Sequence, residues 1–89
     1  MKMYEVVYSK QYLNSIKKLD KQVRKRITKW IETHLLDTTD PYFSGKRLTG
    51  KLGNYWRYRI GDYRLIVEIR ETELVIVAID IGHRREIYK

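Results

Sequence analysis

Three arginines on one face of a predicted β-hairpin are the residues of this chain best suited to chemistry. Gly61-Asp62 is a two-residue turn signal between runs of aromatic and β-branched residues. That turn places Arg59 directly opposite Arg64 and leaves Arg57 on the same face. Like charges opposite one another destabilise a strand pair, so this arrangement predicts a site for an anion. A guanidinium group matches the geometry of phosphate, which makes nucleic acid the leading candidate.

The other face of the predicted hairpin is apolar and belongs in a protein core. It carries Trp56, Tyr58, Ile60, Leu65 and Val67. Glu68 shares the face of the arginines and is able to neutralise one of them, but a single carboxylate cannot neutralise three. The sequence therefore predicts a hairpin with one buried face and one cationic face.

The chain before the hairpin predicts a strand followed by two helices. Residues 3–8 are rich in aromatic and β-branched residues, which is typical of a strand. Ser9 is a candidate cap for a helix that continues to about Leu19, and Asp20 is a candidate cap for a second helix that ends near Leu36. Two consecutive helices of this kind predict an αα-hairpin lying on a sheet.

The segment from Asp37 to Gly53 breaks the helical periodicity and predicts a long loop. It holds the single proline of the chain and several of its glycines. A loop of this length in so small a protein is usually functional. It also supplies three cations, Lys46, Arg47 and Lys51, that are able to contact a nucleic acid.

The chain after the hairpin predicts one more strand. Leu74 to Ile79 form a nearly continuous apolar run, which indicates a strand covered in part on both faces. Gly82 is predicted to turn the backbone out of that strand. The element order is then β-α-α-β-β-β, an α+β fold in which an antiparallel sheet packs against the αα-hairpin. We expect residues 1–89 to form a single domain.

The amino-acid composition limits the classes of partner and the kinds of site that this chain can have. The net charge of +8 and the pI near 9.8 indicate a polyanionic partner, with nucleic acid ahead of an acidic protein. The chain has no cysteine, which excludes disulfides and thiolate zinc sites and suits a cytoplasmic location. Two histidines and scattered acids argue against a metal site. No cofactor fingerprint, signal peptide or membrane span is visible.

The end of the chain supplies groups that are expected to act beside the arginines. Arg84 and Tyr88 follow the strand that neighbours the hairpin, so they are expected to converge on the same surface. RNA cleaves itself when a 2′-OH attacks the adjacent phosphorus, and arginines are able to stabilise the negative charge that develops. Arginine cannot act as the base. His83, whose ordinary pKa lies near neutrality, Tyr88 and Lys51 are therefore the candidate proton carriers.

Two strings in this chain resemble the RelE/ParE toxin superfamily. One is the hairpin Tyr55-Trp56-Arg57-Tyr58-Arg59-Ile60-Gly61-Asp62-Tyr63-Arg64-Leu65, and the other is the tail Gly82-His83-Arg84-Arg85-Glu86-Ile87-Tyr88. The resemblance covers essentially the whole chain and is closest to the RelE branch, the mRNA interferases of bacterial toxin–antitoxin systems. It implies a microbial-ribonuclease-like fold, ribosome-dependent cleavage of mRNA in the A site, and no cofactor. It also implies a monomeric toxin held in a hetero-oligomer by a RelB-like antitoxin.

The resemblance also assigns residues to the site. Arg64, Arg84 and Tyr88 match the family's arginines and tyrosine. Arg57 and Tyr55 fall where some members carry catalytic lysines, and because arginine cannot give up a proton, the identity of the general base stays open. The predicted catalytic residues are Arg57, Arg64, His83, Arg84 and Tyr88, and the predicted RNA-binding residues are Arg59, Lys46, Arg47, Lys51 and Tyr55.

Two other functions remain open on the sequence. The first is a non-nuclease toxin of the same fold, such as the ParE branch that poisons DNA gyrase. Arg84 and Tyr88 favour the nuclease branch, since they supply groups that a cleavage site needs. The second is a passive basic module that binds RNA or an acidic protein, in which substituting the arginines weakens binding and abolishes no cleavage.

Overall fold

Two helices lie against a five-stranded sheet in the computed structural model, which describes residues 3–48 and 55–83. The elements are β1 (Glu5–Tyr8), α1 (Lys10–Lys17), α2 (Lys21–His34), β2 (Lys46–Arg47), β3 (Tyr55–Ile60), β4 (Tyr63–Arg70) and β5 (Val75–His83). The strand order across the sheet is β1-β5-β4-β3-β2. The predicted α+β class, with two helices after a first strand, is confirmed.

The sheet is mixed rather than wholly antiparallel. β1 pairs with β5 in parallel, whereas the β2–β3, β3–β4 and β4–β5 pairs are antiparallel. The parallel pair arises because the two helices carry the chain away from β1, and β5 returns beside it in the same direction. β2 is a further difference from the prediction, since this short strand lies within the segment expected to be a loop.

The helices begin where their caps predict. The Ser9 hydroxyl accepts a hydrogen bond from the backbone N–H of Tyr12 at 3.0 Å, which caps α1. α2 follows Asp20, although the Asp20 side chain makes no capping hydrogen bond. Both helices end about two residues earlier than predicted. Asp37, just beyond α2, has a left-handed φ of 61°, which takes the chain out of the helical path.

The β3–β4 hairpin has the predicted register. Tyr58 pairs with Leu65 and Arg59 pairs with Arg64 across a turn at Gly61. Gly61 has a φ of 62°, and a Cβ placed there would lie 3.0 Å from the guanidinium of Arg26. The left-handed backbone conformation at the turn therefore favours glycine, whereas the exposed Arg26 side chain is free to move.

The core lies between the helices and one face of the sheet. The predicted apolar face of the hairpin is confirmed: Tyr58, Ile60, Leu65 and Val67 are buried, and Trp56 is partly buried against them. α2 contributes Ile27, Ile31 and Leu35 to the same cluster. Side chains alternate along a strand, so the residues between these core positions point to the face of the sheet that the helices do not cover.

β5 runs further than predicted and contains a bulge. The strand continues through Gly82, which pairs with Arg64, to His83, so the chain does not turn out at the glycine. Asp80 pairs with Ile66 whereas Ala78 pairs with Val67, which leaves Ile79 as the extra residue.

The segment before β2 is held against β3 by two hydrogen bonds. The Tyr58 hydroxyl donates to the carbonyl of Pro41 within the core, and the indole Nε1 of Trp56 donates to the carbonyl of Ser44 at 2.7 Å. Gly45, with a φ of 84°, would place a Cβ only 2.2 Å from the Arg57 carbonyl oxygen. This close approach brings β2 beside β3. In the described ranges, no helix is long and apolar enough to cross a membrane.

Candidate anion-binding site

A cluster of four cations lies on the sheet face that the helices leave uncovered, and Arg70 lies further along the same face. Arg57 and Arg59 lie two residues apart on β3, and Arg64 lies opposite Arg59 on β4. β2 adds Lys46, which pairs with Arg57. Paired residues on neighbouring strands point to the same side, so the predicted gathering of the three arginines on one face is found.

Arg64 is the unusual member of this group. It is only 6% exposed, and its guanidinium Nε and Nη1 atoms are buried with no hydrogen-bond partner among the described residues. A buried cation without a partner costs several kcal/mol on general grounds, and most buried polar atoms in proteins are satisfied. A phosphate or carboxylate group from another molecule is able to satisfy both nitrogens at once.

The two carboxylates that lie nearest to Arg64 by register are engaged elsewhere. Glu68, which the sequence offered as a neutralising partner for Arg64, instead accepts a hydrogen bond from Nε of Arg70 at 2.7 Å. Asp80 accepts hydrogen bonds from the Ser15 hydroxyl at 2.6 Å and the Gln11 amide at 2.9 Å. The positive charge of Arg64 is therefore not compensated by either acid.

Ile66 gives the site an apolar neighbour. It pairs with Arg57, lies two residues from Arg64 on the same face of β4, and is 7% exposed. An apolar surface beside a cation lowers the local dielectric and strengthens the attraction for an incoming anion. Tyr55, a predicted RNA-binding residue, is half-buried on the same face and pairs with Glu68.

His83 does not join the arginines. It pairs with Tyr63, and the two rings meet edge to face with centroids 5.6 Å apart. Tyr63 packs against the core, so strand alternation puts His83 on the opposite face of the sheet from Arg64. β5 keeps its register through Gly82 to His83, where the sequence predicted that the backbone would turn out of the strand.

The remaining predicted site residues divide into two groups. Arg47 pairs with Trp56, which packs against the core, and lines a cavity of about 470 Å³ together with Tyr42 and Glu71. Lys51, Arg84 and Tyr88 lie outside the described residues. Across the described ranges, no three His, Asp or Glu side chains are grouped so that they could hold a metal ion.

The roles of Ile66 and Asp80 were missed by the sequence analysis. The alternation around the Gly61 turn was sufficient to put Ile66 on the arginine face. The position of Asp80 depends on the bulge at Ile79, which no residue type near it signals.

Comparison with known proteins decides the family. Residues 6–88 match the family model described as the ParE toxin of the type II toxin-antitoxin system, parDE. The chain belongs to this family. It is therefore a toxin of a type II toxin–antitoxin system in the RelE/ParE superfamily. No curated protein matches it in sequence.

Solved structures share its fold. A chain of the toxin–antitoxin complex RelBE2 from Mycobacterium tuberculosis is 23% identical, with 97% of each chain covered and a TM-score of 0.84. A chain of the RelB–RelE complex from Methanococcus jannaschii is 27% identical over 93% of this chain and 95% of that chain, with a TM-score of 0.70. The isolated RelE toxin of E. coli is 22% identical over 96% and 90%, with a TM-score of 0.72.

Proposed function

We propose that this toxin is a ribosome-dependent endoribonuclease that cleaves mRNA in the ribosomal A site. One observation carries the proposal: Arg64 is buried on the same sheet face as Arg57 and Arg59, and two of its guanidinium nitrogens have no partner within residues 3–48 and 55–83. A phosphate bound beside Arg64 would supply acceptors for both nitrogens. The similarity of the fold to RelE toxins supports the choice of RNA as the source of that phosphate.

The arginines act on the phosphate in this mechanism. The 2′-OH attacks the neighbouring phosphorus in line, and negative charge accumulates on the non-bridging oxygens. Arg64 and Arg57 donate hydrogen bonds to those oxygens, and Arg59 and Lys46 hold the adjoining backbone. Because Arg64 is fixed in the sheet before substrate arrives, its dipoles need no reorganisation as the charge develops.

Proton transfer is the weaker part of the site. Arginine does not deprotonate in proteins, and His83 points to the other face of the sheet. Tyr55 and Lys46 are described groups on the arginine face that are able to exchange a proton, and Arg84 and Tyr88 keep the roles that the family resemblance gives them. Weak acid–base groups suit an enzyme whose substrate is oriented by the ribosome, because orientation alone is able to supply much of the rate.

The proposed protein partner is a RelB-like antitoxin. Similar folds occur in RelB–RelE complexes from M. jannaschii and E. coli. A protein with a net charge of +8 and an uncovered cationic face would bind RNA indiscriminately, and an acidic helix laid across that face would block it. We expect nanomolar affinity or better, about −12 kcal/mol, by calorimetric titration, and binding in the micromolar range would contradict this.

Cleavage assays test the nuclease proposal directly. Purified toxin is incubated with a defined mRNA, either on programmed ribosomes or free in solution, and the products are mapped by primer extension. We expect cleavage on the ribosome only. Arg64→Lys retains the charge but loses the planar fork, so the rate should fall about 100-fold or more.

A matched control separates the site from net charge. Lys29→Ala removes one positive charge from an exposed position on α2 and should leave the cleavage rate within about twofold of wild type. Equal losses in Arg64→Lys and Lys29→Ala would contradict the assignment of Arg64. Intact mRNA on ribosomes with the wild-type toxin would contradict the nuclease function itself.

Poisoning of DNA gyrase is the second candidate function, and the match to the ParE family model favours it. The two candidates differ in what the toxin does to purified components. A gyrase poison should stabilise cleaved DNA in a supercoiling reaction and leave mRNA intact on ribosomes. Growth arrest accompanied by DNA damage, without new mRNA ends, would support this alternative.

A further inference from the structure

The carboxylate of Asp80 is withheld from the arginine site by three hydrogen bonds. Its Oδ1 accepts from the Ser15 hydroxyl at 2.6 Å and from the backbone N–H of Ile81 at 2.9 Å, and its Oδ2 accepts from the Gln11 amide at 2.9 Å. All three donors are uncharged, and two of them come from α1. Both oxygens of the Asp80 carboxylate thus have hydrogen-bond partners, none of which is a cation.

Asp80 is nevertheless in a position to neutralise Arg64. It pairs with Ile66, and Arg64 is two residues from Ile66 along β4. Diagonal neighbours on paired strands are about 7 to 8 Å apart at Cα, which is within reach of long side chains. An arginine and a carboxylate in that relation form a strong bidentate pair. Arg64 thus lacks partners for two nitrogens among the described residues although a carboxylate is its diagonal neighbour by register.

Two local features fix this arrangement. The bulge at Ile79 changes the path of β5 just before Asp80. Ser9, at the start of α1, donates from its hydroxyl to the Ile79 carbonyl at 2.8 Å and from its backbone N–H to the Ala78 carbonyl at 2.9 Å. The start of α1 is thereby attached to the bulge, and the helix presents Ser15 and Gln11 to the carboxylate.

We propose that Ser15 and Gln11 are positioning residues that hold Asp80 away from Arg64 and so keep the guanidinium available for a phosphate. Their effect on RNA cleavage rests on the proposed nuclease function. Their effect on phosphate binding does not, because it concerns only the competition between Asp80 and an incoming anion. The two levels are tested separately.

Phosphate binding tests the competition. Inorganic phosphate is titrated into the purified protein while the Nε–H signal of Arg64 is followed by NMR. In Ser15→Ala/Gln11→Ala, the released Asp80 should pair with Arg64, shift this signal before any phosphate is added, and weaken phosphate binding about tenfold. Adding Asp80→Asn to the double variant should restore wild-type affinity, because asparagine carries no charge to compete.

A second pair of variants does not alter α1 at all. Asp80→Glu lengthens the side chain by one methylene and should lower phosphate affinity, whereas Asp80→Asn alone should leave it unchanged or higher. A purely structural role for Asp80 would make both variants weaker by the same factor. That result, or a double variant that binds as wild type or is not rescued by Asp80→Asn, would overturn the proposal.

The cleavage assay on programmed ribosomes then completes the test. Under the proposed function, the cleavage rates should follow the order of phosphate affinities across these variants. If phosphate binds Arg64 in the predicted order but no variant, wild type included, cleaves mRNA, the positioning role stands and the nuclease function fails.

Discussion

The two ends of β4 use arginine in opposite ways. Arg64 and Arg70 lie on the same face of one strand, six residues apart. The Arg70 side chain is 50% exposed, with Nε 2.7 Å from Glu68 and Nη1 3.7 Å from Glu73. The hydrogen bond to Glu68 is the main reason that the pKa of Arg70 is raised above its ordinary value. Arg64 is buried, and two of its nitrogens have no partner among the described residues.

Among the described residues, the arginine that would gain most from a partner is the one that lacks it. An exposed ion pair contributes little, because water already solvates both charges and salt screens them. A buried guanidinium gains much more from a partner, yet the partners are found at the exposed end of the strand. The lack of a partner for Arg64 among the described residues costs free energy of folding, which we expect a bound anion to recover.

The largest expected effect comes from replacing Arg64 with an apolar residue of similar length. Arg64→Met should reduce cleavage about 100- to 1000-fold, because a fixed donor to the transition state is lost. The same change removes an uncompensated buried charge and keeps an apolar stem, so the free energy of unfolding should rise by about 1 kcal/mol. Cleavage on programmed ribosomes and urea unfolding measure the two quantities on the same preparation.

The decisive test is that Arg64→Met should lower the cleavage rate and raise the free energy of unfolding at the same time. A loss of stability of several kcal/mol in Arg64→Met would mean that the guanidinium is already well paired in the folded protein. The contrast between the two ends of β4 would then disappear.

The second effect concerns the turn that sets the register at the Arg64 end. Gly61→Ala forces a Cβ into a left-handed conformation and towards the guanidinium of Arg26, so the free energy of unfolding should fall by about 2 kcal/mol. Thermal unfolding followed by circular dichroism measures it. Leu74, in the turn at the Arg70 end, has a similar φ of 56° without being glycine. If Gly61→Ala folds with the same turn and loses no stability, the steric argument is wrong.

The third effect is at the core side of the hairpin, below the arginines. Tyr58→Phe removes the hydrogen bond to Pro41 and leaves a buried carbonyl without its donor, which should cost about 1 kcal/mol at neutral pH. Pro41 is buried, so water is a poor substitute. Urea unfolding of the variant and wild type at pH 7 provides the comparison, and an unchanged midpoint would contradict it.

The difference in stability between wild type and Tyr58→Phe should depend on pH. Burial raises the pKa of Tyr58 above its ordinary 10.0 and that of Tyr12 to about 12, so folding favours the neutral phenols. Stability should be constant below pH 10 with respect to these groups and fall as the unfolded chain loses its phenolic protons above it. The advantage of wild type over Tyr58→Phe should therefore shrink above pH 10. A widening difference would show that the sign is wrong.

The hairpin illustrates how much of this protein its sequence could predict. A two-residue turn and strict alternation determine which residues are paired, so the register, the buried face and the grouping of Arg57, Arg59 and Arg64 all followed from Gly61-Asp62. These signals are local in the chain. The caps at Ser9 and Asp20 were local as well, and both helices begin after them.

Features that depend on distant segments were not predictable. The parallel pairing of β1 with β5 joins residues about 70 positions apart, and β2 exists because Tyr58 and Trp56 bind the segment before it. The sequence predicts that Gly82 turns the backbone out of the strand. The pairing of Gly82 with Arg64 holds that backbone in the sheet instead, and His83 pairs with Tyr63 on the face of the core.

The smallest expected effect completes the comparison at the exposed end of β4. Arg70→Ala breaks both contacts to Glu68 and Glu73, yet the unfolding midpoint should stay within experimental error, because solvent replaces the guanidinium at an exposed position. Urea unfolding at low and high salt measures this, with little difference between the two conditions. A clear loss of stability at low salt that vanishes at high salt would show that the exposed pair matters. The ion pairs of Arg70 would then contribute to stability, and the contrast with Arg64 would be weaker.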